Sequence, residues 1–138
     1  MRNYRKRTRL RSAIAAIVVL HLAVAIWHGQ AHSEVPIPLT SMQTAFVFVV
    51  ILVLPIVGAV LIWTRFERAA AWIVAMSMLA SLIFGVINHF VVISPDNICQ
   101  VPQHAWHQSF VLSAYLLAAT EGLGAVLGIA TLVFGRKA

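Results

Sequence analysis

Charge is what this chain lacks most. Of its 138 residues, 10% are Asp, Glu, Lys or Arg, and only four of those are acidic; an ordinary soluble domain carries about 25% charged residues. Cysteine is nearly absent: Cys99 stands alone, so no intramolecular disulfide can form and a disulfide-stapled scaffold is excluded. No phosphate loop, nucleophile elbow or paired-carboxylate constellation occurs, so hydrolase and kinase readings have no residues to stand on and no catalytic residue is assigned. What fills the space is apolar. The chain is 61% hydrophobic, with a mean hydropathy of +0.90. A chain this short has too much surface for its volume to hide that excess in a soluble core. The expected fold is an all-α polytopic membrane protein.

Four apolar stretches define it, at about residues 12–28, 42–63, 69–93 and 108–134, preceded by a basic segment at 1–11. At 1.5 Å per residue, the stretch from Met42 to Trp63 spans about 33 Å, enough to cross a hydrocarbon core of about 30 Å. Pro55 inside it is no objection, because a neighbouring helix can satisfy the freed backbone group. No repeat or low-complexity segment appears, so a single four-helix domain, antiparallel from helix to helix, is expected over residues 1–138.

Lys and Arg set the orientation. Arg2, Arg5, Lys6, Arg7, Arg9 and Arg11 precede the first stretch, Arg65 and Arg68 lie between the second and third, and Arg136 and Lys137 follow the fourth. With four crossings all ten fall on one side, which the positive-inside rule makes cytoplasmic, with both termini there. Trp63 and Trp72 then mark the inner interface and Trp27 and Trp106 the outer. The N-terminal cluster also suits anionic lipid headgroups. Nucleic acid ranks well below, because the basic residues are not spread over a folded surface. A secretory signal ending at Gly29-Gln30-Ala31 is the alternative reading of the start. The long apolar run favours an uncleaved helix.

Polar groups at membrane depth are expensive and tend to mark function. Glu121 stands 15 residues before Arg136 and His21 stands 10 after Arg11, which places both near mid-depth. They are expected to meet as an intramembrane polar pair. The competing expectation is an uncharged Glu121 held by backbone or hydroxyl groups. Around it the fourth helix is small-sided, and Gly124 and Gly128 form a G-x-x-x-G pair. The third helix offers a matching stripe of Ser77, Ser81, Gly85 and Asn88. Packing of these faces within one bundle is the simpler expectation; a homo-oligomer or a protein partner is the other.

Six histidines give the sharpest pattern. His28 and His32 (i, i+4) lie in the first outer loop, His89 caps the third helix, and His104 and His107 (i, i+3) precede the fourth. The outer loops, stiffened by Pro36, Pro38, Pro95 and Pro102, are expected to fold over the bundle and bring these five together. Imidazoles in that number suit a transition metal, copper or zinc. Glu34, Asp96 and Cys99 in the same loops are candidates to complete the site. Haem held by His21 and His89 fits less well, because the two sit at different depths. The competing explanation is that outer loops emptied of Lys and Arg use His as polar filler.

The residues Phe84-Gly85 and Asn88-His89-Phe90, the run Ser94-Pro95-Asp96-Asn97, and Trp27-His28-Gly29 resemble those of small bacterial four-helix membrane proteins of unassigned function. That resemblance implies the fold and no activity. Small multidrug transporters carry their membrane glutamate in the first helix, whereas Glu121 is in the fourth, so that family does not match. Two functions remain: a membrane protein handling a metal or protons at its outer face, or a non-catalytic accessory subunit of a larger membrane complex. An enzyme using a bound metal stands behind both.

Overall fold

The computed structural model describes residues 2–35 and 37–135. Pro36, Arg136 and Lys137, used above for loop stiffness and for topology, lie outside the described residues. Among the described residues the chain is all-α: α1 (Arg2–Glu34), α2 (Ser41–Leu61), α3 (Glu67–Val91) and α4 (His107–Phe134). Each is long and apolar enough to cross a membrane. Their outward faces are greasy, with Ile26, Val126 and Val91 at 70%, 62% and 65% exposure. Faces of that size do not stay in water unassociated.

The first half of the expected outer loop between the first two stretches is helix. Gly29 does not stop α1, which runs on to Glu34, and the basic segment 1–11 is helical from Arg2. The reason is local. Residues 28–34 contain no proline, Ser33 Oγ donates back to the Gly29 carbonyl (3.1 Å), and Gln30 bonds Glu34 one turn on (2.9 Å). Helix α2 restarts at Thr40, whose hydroxyl accepts from Gln43 N–H while the Gln43 side chain accepts from Thr40 N–H, a capping box.

Two helices widen into π-helical turns, Val47–Val53 in α2 and Ile87–Val91 in α3. Pro55 follows the first and has no N–H to give to the carbonyls behind it. The carbonyl of Ile51, four residues back, instead takes His21 Nε2 at 3.0 Å. A fully buried histidine on α1 thus satisfies the backbone group that a proline on α2 leaves open.

Helix α4 packs along α1 and α3, and α2 along α3. The α3–α4 seam is where the small residues meet. A Cβ on Gly128 would stand 2.8 Å from the backbone nitrogen of Ala75, and one on Gly124 would stand 2.5 Å from Met78 Cε. The small-residue face of α4 is therefore used against the same chain. A core of Ile14, Val18, Ile62, Val74 and Met78 fills one end of the bundle. Near it, Arg7 and Arg11 of α1 clasp Glu67 at the start of α3, both through Oε2, the second at 2.7 Å. The opposite end holds a second core of Ala31, Val35, Ile37, Val101 and Phe110. The histidines gather there.

Candidate metal centre

Because α1 continues past His28, His32 comes one turn further along the same face. The π turn of α3 brings His89 against them. Ring centroids stand 4.8 Å apart for His28–His32 and for His28–His89, and 6.0 Å for His32–His89. One ring nitrogen from each of the three lies within 4.8 Å of the others. A tetrahedral zinc site, with Zn–N near 2.0–2.1 Å, needs nitrogens about 3.4 Å apart. Side-chain shifts on the order of 1 Å would close that gap. Phe110 of α4, fully buried, backs all three rings at 4.9–5.6 Å.

Hydrogen bonding fixes which nitrogens are available. Ser113 Oγ has one hydrogen, directed at the carbonyls of Ser109 (2.6 Å) and Phe110 (3.0 Å). It must therefore accept from His28 Nδ1 (2.8 Å), which leaves His28 Nε2 with a bare lone pair, buried and without a hydrogen-bond partner. His89 Nδ1 faces the Asp96 carbonyl at 3.0 Å. A carbonyl only accepts, so Nδ1 carries the proton and Nε2 the lone pair. His32 Nε2 faces the Asp96 carboxylate at 3.2 Å, and its Nδ1 is again buried without a hydrogen-bond partner. Each ring meets Ser113 or Asp96 through one nitrogen, and among the described residues no hydrogen bond reaches the other. This is the outer-shell arrangement of metal-bound histidines.

Asp96 is the common support. Its Oδ1 lies 3.2 Å from both His32 Nε2 and His89 Nδ1. Neither contact has hydrogen-bond geometry, so the pull is mainly electrostatic. Burial disfavours the charge on this carboxyl, but the two imidazoles outweigh it and hold the group below the usual carboxylate range. The loop is pinned so that Asp96 points inward. Asn97 Nδ2 donates to the Val92 carbonyl (2.9 Å), its Oδ1 accepts from Cys99 N–H (3.0 Å), and Ile98 N–H donates to the His89 carbonyl (3.0 Å).

A cavity of 520 Å³ runs from this cluster into the bundle, with His28, His32, His89 and Asp96 at one end and Gly85 and Glu121 deeper. Glu121 is 2% exposed. His21 bonds Ile51, and no hydrogen bond or ion pair joins it to Glu121 among the described residues. The two groups expected to pair thus meet different neighbours, because Pro55 supplies His21 with a better acceptor.

The other expected ligands are placed elsewhere. His104 Nδ1 accepts from Trp106 N–H (3.3 Å) at an exposed position, and the half-buried His107 turns its Nδ1 to the Pro102 carbonyl (3.3 Å). Glu34 ends α1, bonded to Gln30 at an exposed site. Cys99 is an exposed free thiol. Asp96 was a candidate additional ligand from the sequence, and the structure puts it behind His32 and His89. Sequence reasoning missed Ser113, for which the only signal was a hydroxyl beside Ala114 on the buried face of α4. No protein-family model, curated protein or solved structure matches the chain.

Proposed function

We propose that the chain is an integral protein of the cytoplasmic membrane that binds a transition metal, copper or zinc, through His28, His32 and His89 at its outer end. It crosses four times with both termini cytoplasmic. The observation that carries the reading is the triad itself: three buried or half-buried imidazoles with ring nitrogens within 4.8 Å of one another, His28 and His89 oriented by hydrogen bonds to Ser113 and the Asp96 carbonyl and His32 set against the Asp96 carboxylate. Three imidazoles leave an open coordination position, and the cavity meets all three rings.

Orientation rests on charge. The described Lys and Arg residues flank the ends of α1, α2 and α3 away from the histidines, as a cytoplasmic face requires. Metal analysis of protein purified in mild detergent without chelator tests the site. About one equivalent of copper or zinc is expected, falling at least tenfold in His28→Ala and in His89→Ala, and unchanged in His104→Ala. Less than about a tenth of an equivalent, with no gain on reconstitution, overturns the reading.

A further inference from the structure

The cavity beneath the histidines has a second polar feature that a metal does not use. Glu121 reaches its inner wall from α4 with no cation and no hydrogen-bond partner beside it among the described residues. Gly85 is the gap between the two ends. An atom placed where its Cβ would be lies 3.7 Å from Glu121 Oε2 and 3.9 Å from His89 Cδ2. A single ligand group lying on Gly85 touches both.

The remaining wall is apolar, with Ile51, Leu52, Phe84 and Leu117 among its residues. Among the described residues no Lys or Arg lines it. Ile26, Gly29 and Ser33 of α1 and Thr44 of α2 also line the cavity while remaining exposed. The mouth therefore opens sideways between α1 and α2 at the histidine end. In a bilayer that opening faces lipid, and molecules dissolved in lipid would enter by it. At 520 Å³ the space is within the range that holds a small organic molecule.

We infer that this cavity binds a neutral, lipid-soluble carbonyl compound, a quinone being the closest chemical class, with one carbonyl oxygen accepting from the Glu121 carboxyl. The argument is one of exclusion. A buried carboxyl without a counter-charge is stable as the uncharged acid, which offers one O–H and needs an acceptor. An anionic head group beside Glu121, such as a fatty carboxylate or a phosphate, would be buried against that carboxyl, with the imidazoles and any metal they hold at the other end of the cavity. A hydrocarbon would leave the O–H unsatisfied. A neutral carbonyl on an apolar body satisfies both the acid and the wall. This site stands on Glu121, Gly85 and the lateral mouth, and does not require metal at the triad.

The test uses the chelator-treated full chain in detergent micelles with a decyl-substituted benzoquinone labelled with carbon-13 at its carbonyls. Equilibrium dialysis should show saturable binding. Infrared difference spectra should show one carbonyl band moved to lower wavenumber by the hydrogen bond. Glu121→Leu should weaken binding about tenfold and remove the shift, while Glu121→Gln, which keeps N–H donors, should bind within a few-fold of the native chain. Gly85→Leu should abolish binding by filling the gap. No saturable binding, or saturable binding with both carbonyl bands unshifted in the native chain, overturns the inference, and that result stands even where Glu121→Leu fails to fold. Equal affinity with the same shifted band in a folded Glu121→Leu overturns it as well, because another group is then the donor. Because metal is absent throughout, failure here leaves the metal reading untouched, and failure of the metal reading leaves this one untouched.

Discussion

At the scale of single residues, Ser113 decides which nitrogen of His28 is available. Its hydroxyl spends its proton on its own helix and can only accept, so the imidazole proton is drawn to Nδ1. Ser113→Ala removes that acceptor with little change in volume. Metal affinity is expected to fall about 10- to 100-fold while the triad itself is intact, measured by competition with a chromophoric chelator; an affinity within twofold of native would mean that Ser113 does not orient the ring. Glycines give a second contrast. Gly128→Ala pushes a methyl into the Ala75 backbone, 2.8 Å away, with no side chain to move aside. Even against the helix propensity gained, it should destabilise by about 1–3 kcal/mol. Gly85→Ala meets nothing closer than 3.7 Å and should unfold at or above the native temperature. Thermal unfolding in detergent separates the two. Much of this was legible from residue types. A G-x-x-x-G pair in an apolar run calls for a close neighbour whatever the fold, whereas Ser113 looks like any small residue until His28 is seen 85 positions away in the chain and 2.8 Å away in space.

At the scale of helices, the least legible feature was also the most consequential. Gly29 and the polar residues after it suggested that α1 ended near Trp27, yet side-chain bonds one turn apart carry it to Glu34. That extra length turns the i, i+4 spacing of His28 and His32 from a conditional pattern into a shared face. The π turn at Ile87–Val91 had no sequence signature at all, and it carries His89; such turns arise where a helix is under local demand and recur at functional sites. Pro55, by contrast, was readable, since a proline in a spanning helix must leave a carbonyl to be met from outside. His21 meets it, and the pairing predicts a coupling. His21→Leu strands the Ile51 carbonyl in the native chain, but less so in Pro55→Ala, where the helix supplies its own N–H. A double-mutant cycle on unfolding should give an interaction of about 1 kcal/mol. A value near zero would mean that the His21–Ile51 bond contributes nothing to stability.

On the scale of the whole molecule, the chain is polarised along the helix axes. Arg7 and Arg11 with Glu67 close one end, and three histidines with Asp96 close the other. The separation was evident in the order of residues, because Lys and Arg avoid two of the three connections entirely. What sequence could not supply was which connection residues turn inward: Asp96 and Asn97 are buried, while Cys99, two positions on, is exposed. That difference provides a native reporter of orientation. Cys99 is the single thiol of the chain and lies at the histidine end, so with that end outside it should react with a membrane-impermeant maleimide in intact cells. In a Cys99→Ser background, Thr64→Cys, an exposed position between α2 and α3, should react only after the membrane is opened. The pair of measurements controls itself, because each thiol is the accessible one in one orientation and the protected one in the other. Labelling of Thr64→Cys but not of native Cys99 in intact cells would place the histidines in the cytoplasm. The metal would then be taken from a pool buffered by intracellular thiols, and only a site much tighter than an outward-facing one would fill.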